Sequence, residues 1–153
     1  MYDFVLLAHS WLRWLVLLAA LAAVARAIGG VSTRRPWTPV DDRAGAWLTG
    51  ALDLQMLLGL ILYFVASPNM QEIRAHFGEA MKNPQLRFWA VEHVTAMMVA
   101  VVLVHVGRVL ARKAATPAAK RTRLLICFGI ATVAVFLGTP WPGMAAGRPL
   151  FRV

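Results

Sequence analysis

At 153 residues, 59% hydrophobic and only 15% charged, the chain is too apolar for a soluble domain, where about 45–50% and about 25% are usual. Its formal charge of +9 invites a nucleic-acid reading, but the basic residues collect in short connections between apolar blocks, which is a topology signal. One cysteine, Cys127, excludes an internal disulfide and any multi-cysteine metal or iron–sulfur site.

The first apolar block covers residues 4–28, enough for a membrane span, which needs about 20 residues. Its opening, MYDFVLLAHSWLRWLVL, carries His9 and Arg13 four residues apart, and so on one helix face. Each is costly in hydrocarbon unless a partner answers it. Val16, Ala20, Ala23 and Ala27 fall within about 40° of the His9 direction, a narrow face that admits a flat ligand or a second helix. The stretch AAVARA resembles a signal-peptidase site. Asp3, the lack of Lys or Arg before the apolar run, and Arg13 within it argue for a retained span. Gly29–Gly30 is expected to end this helix.

In the connection GGVSTRRPWTPVDDRAGA, Pro36 and Pro39 keep the chain extended, and Asp41 or Asp42 caps the approach to a second span over 46–66. Asp53 lies about two turns inside that span, with Thr49 and Gln55 nearby. After Ser67–Pro68, Met70, Ile73, Phe77 and Met81 recur at helical spacing, with Glu72, Arg74, His76 and Glu79 mostly on other faces. This predicts a short amphipathic helix over 70–82, lying in the membrane interface, with His76 solvated.

The third span covers 88–110 and holds Glu92, His93 and His105. A basic connection containing Pro117 leads to a fourth span over 123–139, where Cys127 reads as a packed thiol. The tail GTPWPGMAAGRPLFRV cannot be helical through Pro140 and Pro142. Trp141 is placed in an aromatic belt with Trp11, Trp14, Phe88 and Trp89.

The expected fold is all-α: one integral membrane domain over 1–153, with four transmembrane helices in an up-down-up-down bundle and the interfacial helix between the second and third. Ten of the 16 basic residues lie in the first and third connections or at the span ends beside them, namely Arg26, Arg34, Arg35, Arg43, Arg108, Arg112, Lys113, Lys120, Arg121 and Arg123. Cytoplasmic loops collect Lys and Arg. Both termini are therefore expected on the periplasmic side of a bacterial inner membrane.

His9 follows Phe4 by five residues and His93 follows Phe88 by five, which brings two imidazoles to similar depth on diagonal helices. That arrangement suits a b-type haem, whose iron takes one imidazole from each face. Arg13, Arg87 and Arg148 lie near the same surface and would pair with propionates. A cofactor-free polar network competes with this reading, with Glu92 neutralising Arg13. Met97, Met98 and Met144 point more weakly to copper or another metal. Deeper in the bundle, Asp53, His105 and Gln55 form a second polar set, read as a buried Asp–His pair that is structural, carries protons or contacts a quinone.

The segments HSWLRWLVL, LDLQMLLGLILYF, RFWAVEHVTAMM and VHVGR resemble those of small bacterial four-helix membrane proteins described as cytochrome b-like. The resemblance implies haem b held by two histidines, here His9 and His93, and electron transfer with quinones or partner cytochromes. His105 has no histidine at matching depth on the diagonal, so the resemblance implies one haem and not two. No phosphate-cradling glycine loop, HExxH or nucleophile elbow is present. The chain is thus expected to be an electron-transfer subunit with one haem b near the periplasmic face. It would belong to a larger respiratory or photosynthetic complex or form a homo-oligomer. The alternative is a cofactor-free accessory or assembly subunit.

Overall fold

The computed structural model describes residues 1–152, all helix and loop. Helix α1 is Tyr2–Ser32. It overruns the glycine pair expected to end it. Gly30 accommodates the Arg121 side chain where a Cβ would collide, and the Ser32 and Thr33 hydroxyls bond the Gly29 carbonyl at 3.1 and 2.7 Å. Helix α2, Pro39–Ile61, starts earlier than expected because Thr38 and Asp41 form a reciprocal capping box with Pro39 in the first turn. It runs on as a π-helical turn, Leu62–Ala66.

The helix expected over 70–82 is two pieces, α3 (Pro68–Ala75) and α4 (Phe77–Ala80), broken at His76 with φ −114° and ψ 44°. Met70, Ile73 and Ala80 still turn inward and pack with Ala90. Next come α5 (Pro84–Arg87), a second π-helical turn (Phe88–Glu92) and α6 (His93–Arg112), which together make the third long helix. Helix α7, Pro117–Gly138, begins at the proline expected to lie in a loop. Thr116 caps it by accepting the Ala119 N–H at 3.2 Å, and a first-turn proline has no N–H to leave unpaired.

Four helices are long and apolar enough to cross a membrane. Leu18, Leu21, Leu57, Val102, Ile126 and Leu137 are more than half exposed, as expected where lipid replaces water around the bundle. Helix α1 packs against α2 and α7, and α6 packs against the same two, so α1 and α6 face each other across the centre. Val16, Leu48, Leu52, Val104 and Phe128 fill the core. The predicted small-residue face of α1 is buried in full at Val16, Ala20, Ala23 and Ala27.

Cys127 is buried and free, and its Cβ would lie 2.7 Å from a Cβ built on Gly107. The close approach of α6 and α7 therefore needs a glycine here. Gly107→Val is expected to cost about 1–3 kcal/mol through overpacking. Thermal unfolding in detergent, followed by helical circular dichroism, checks this, and an unchanged midpoint would refute it.

At the basic-loop end, Asp41 gathers the chain. Its carboxylate accepts from Arg35 at 2.6 and 2.9 Å, from Arg26 at 3.0 Å, and from the Thr38 N–H and hydroxyl at 2.9 and 3.0 Å. These bonds raise the Arg35 guanidinium above its ordinary value. Arg121, almost fully buried, donates to the Pro36 carbonyl at 2.6 Å and stands 3.9 Å from Asp41. At the opposite end the C-terminal tail folds over the start of α1. Trp11 donates to the Arg152 carbonyl at 3.0 Å, and Trp14 to that of Leu150 at 3.1 Å. Two of the expected belt tryptophans thus also hold the tail.

Candidate cofactor site

The half of the bundle bearing the termini holds a partly open cavity of about 210 Å³ between α1, α2, α6 and the tail, lined by His9, Arg13, Gln55, Tyr63, His93 and Arg148 among others. An apolar cavity of about 150 Å³ already admits a benzene ring, so this one has room for a cyclic ligand.

Helix α1 carries His9 to the cavity, and Gln55 on α2 holds it there. The Gln55 amide donates to the His9 carbonyl at 3.1 Å and to His9 Nε2 at 3.2 Å. An amide nitrogen only donates, so Nε2 is the acceptor and the ring proton sits on Nδ1, which has no partner. Gly59 makes room for the ring, because a Cβ there would lie 3.2 Å from His9 Cε1.

His93 is the first residue of α6 after the π-helical turn. Its Nδ1–H donates to the Gly138 carbonyl at 2.7 Å, which fixes the tautomer and leaves the Nε2 lone pair for another use. Trp89 and Phe88 flank the ring at 5.5 and 5.9 Å between centroids. The His9 and His93 rings stand 6.3 Å apart, with planes inclined at 71°.

The two π-helical turns border this space and are tied together by the Tyr63 hydroxyl, which donates to the Ala90 carbonyl at 2.8 Å. Such turns insert a residue into the helical register and re-aim the side chains after it. The Phe64 and Val65 carbonyls at the end of the first turn are taken by Arg74 and Gln71 at 3.1 and 3.0 Å.

The three arginines singled out in the sequence separate. Arg13 lines the cavity, donates to the Leu150 carbonyl at 2.7 Å and lies 5.2 Å from the Trp14 ring centre. Arg148 also lines it and covers the Trp89 ring at 5.2 Å. Arg87 stands apart, paired with Glu92 at 2.7 Å on the exposed surface. Glu92 therefore serves Arg87 and not Arg13, because the π-helical turn changes the direction of its side chain. Of the three methionines, Met97 lines the cavity, whereas Met98 and Met144 are exposed. Among the described residues, no three of His, Cys, Asp or Glu come together for a metal ion.

The second polar set also divides. His105 Nε2 and Asp53 Oδ1 meet at 2.9 Å, but both side chains are about half exposed, 53% and 46%, on the outside of the α2–α6 pair. The expected buried Asp–His pair is thus a surface pair, since the rotation of the two helices turns it outward. Gln55, expected beside it, instead belongs to His9.

Sequence reasoning missed Gln55 as the partner of His9, and missed Tyr63 and Trp89. The spacing held one signal: Gln55 and Gly59 are four residues apart, so a polar group and a gap share one face of α2. Buried polar atoms without a partner cluster here. His9 Nδ1, Gln55 Oε1, Trp89 Nε1 and Arg13 Nε all belong to cavity-lining residues; the others among the described residues are the Nε atoms of Arg26, Arg74 and Arg121. In comparisons with known proteins, no protein-family model, curated protein or solved structure matches this chain.

Proposed function

We propose that the chain is a b-type cytochrome-like electron-transfer subunit of the bacterial inner membrane, in which His9 and His93 would hold one haem b. The observation that carries this reading is the placement of two imidazoles on facing helices, beside a cavity, with ring centres 6.3 Å apart. Two imidazoles ligating one metal from opposite sides at about 2 Å each would have ring centres about 6 Å apart. The donor set fits in other respects. His93 already carries its proton on the nitrogen facing Gly138. Ligation by His9 Nε2 would exchange its Gln55 contact for the metal.

Arg13 and Arg148 supply positive charge along the cavity wall and would meet the propionates. Tyr63, Trp89 and the tail residues Arg148, Pro149 and Arg152 complete the cavity wall. A bound haem would supply one-electron chemistry, with quinones or a partner cytochrome as redox partners and a larger membrane complex as the setting. The basic loops would face the cytoplasm and both termini the periplasm in an up-down-up-down bundle, with α3 and α4 at the outer interface. The end-to-end contacts Arg26–Asp41, Tyr63–Ala90 and His93–Gly138 support that alternation.

The second reading, a cofactor-free accessory subunit, is favoured by the Gln55 bonds that already occupy His9. A reduced-minus-oxidised spectrum of the detergent-purified chain separates the two. A shifted Soret band with extractable haem is expected; a colourless protein that copurifies with a stable partner would overturn the haem reading.

A further inference from the structure

Arg108 lies within the third apolar span, four residues and about 6 Å before Arg112 at the end of α6. A guanidinium at that level needs a partner, because acyl chains supply neither water nor counter-charge. Other arginines have one. Arg13 and Arg123 each donate to a backbone carbonyl, and Arg26, Arg35, Arg87 and Arg121 stand beside Asp41 or Glu92. Among the described residues, Arg108, Arg112 and Lys120 have no ion-pair partner.

These three cations converge. With Trp37, Asp41 and Asp42 they line a partly open pocket of about 60 Å³ where α2, α6 and α7 meet the first connection. A water molecule needs about 10–15 Å³ of such space, so a phosphate group has room. Arg108 and Arg112 are one turn apart on α6, with Cβ atoms about 5–6 Å from each other. Arg108 is half-buried, its stem against α2, where a Cβ on Gly45 would lie 4.0 Å from its Cδ. Lys120 enters from the start of α7, with Nζ 5.6 Å from the Trp37 ring centre. Two guanidinium forks and an ammonium are the groups that grip phosphate oxygens.

The two carboxylates do not cancel this charge. Asp41 is already bonded to Arg26, Arg35 and Thr38. Asp42 accepts the Trp37 indole N–H through Oδ2 at 2.9 Å, which leaves Oδ1 for another donor. The pocket thus matches a ligand that carries a phosphate and, beside it, a cationic N–H group. Its position selects the source. Val40 on α2, Val106, Val109 and Leu110 on α6 and Ile126 on α7 are exposed nearby, as acyl chains require. Basic pockets between membrane helices on the side of the basic loops are places where lipid headgroups bind.

We infer that this pocket holds the headgroup of one phosphatidylethanolamine, with its phosphate on Arg108, Arg112 and Lys120 and its ammonium on Asp42. The lipid comes from the leaflet beside the basic loops. The site is at the opposite end of the bundle from the His9–His93 cavity, so the inference stands independently of the cofactor reading.

Native mass spectrometry of the full chain, released from detergent containing defined phospholipids, counts bound lipid directly. The wild type is expected to retain one phosphatidylethanolamine. Arg108→Gln and Arg112→Gln should each weaken retention roughly fivefold, the scale of one basic residue at a lipid surface. Arg108→Lys should recover part of the loss. Lys113→Gln removes the same charge outside the pocket and should change retention by less than about twofold, because exposed charges are screened. Asp42→Asn should erase the preference for phosphatidylethanolamine over phosphatidylcholine, whose methylated nitrogen has no N–H to donate. Inorganic phosphate should not displace the lipid. Circular dichroism checks that each variant is folded, and Arg112, exposed at the helix end, can be changed without disturbing the core. No retained lipid, retention indifferent to Arg112→Gln, phosphatidylcholine or phosphatidylglycerol held as tightly as phosphatidylethanolamine, or displacement by inorganic phosphate would each overturn the inference.

Discussion

On the proposed haem reading, replacing His93 with alanine is expected to abolish the haem spectrum of the purified chain, and His9→Ala should do the same. Both rings border one cavity, 6.3 Å apart, so removing either imidazole would remove one of the two groups proposed to hold the haem. The two variants should differ in stability. His93 is bonded to Gly138 and flanked by two aromatic rings, so its loss loosens the contact between α6 and the end of α7. His9→Ala leaves the Gln55 bond to the residue 9 carbonyl in place.

Two other histidines serve as controls. His76 pairs with Glu72 at 3.1 Å on the solvent-exposed surface, and His105 pairs with Asp53 outside the bundle. Alanine at either position should leave the spectrum unchanged. Spectra of the four variants, normalised to protein, decide the matter: a wild-type spectrum that survives His9→Ala or His93→Ala rules out this ligand pair.

The largest structural effect is expected at Asp41. Asp41→Ala should destabilise the bundle by about 3 kcal/mol, the lower end of the range for removing one partner from a buried charge network. The carboxylate is buried and accepts five hydrogen bonds from three residues. Its loss removes the α2 cap and leaves Arg121 buried without a counter-charge nearby. The value falls at the low end because Arg26 and Arg35 are partly exposed and can regain water. Asp41→Asn retains an acceptor for Thr38 and should cost less. Denaturant or thermal unfolding in detergent measures both, and a loss under about 0.5 kcal/mol for Asp41→Ala would refute the argument.

The four apolar blocks were legible because a helix that crosses lipid must satisfy its backbone internally and present apolar side chains over about 20 residues. Composition alone reports such a requirement. The level of His9 and His93 was legible for a related reason: helical rise is constant, so counting from each helix end gives depth. The buried face from Val16 to Ala27 followed from helical periodicity.

Helix ends were less legible. Gly30 lies within the helix, and its missing Cβ is the space that Arg121, 91 residues later in the chain, occupies. The π-helical turns before Ser67 and before His93 carry no compositional mark, since an inserted residue is a matter of backbone register. They nevertheless decide which way Tyr63, Trp89 and Glu92 point.

Tertiary packing also sorted the polar residues. Asp53 and Gln55 are two positions apart on α2 and so project in different directions. Helix rotation sends one outward to His105 and the other inward to His9. Hydropathy and helical rise depend on residues near in sequence, and these determined the four apolar spans and the shared level of His9 and His93. Partnership depends on how each helix is rotated against its neighbours, and only the packed bundle sets that angle.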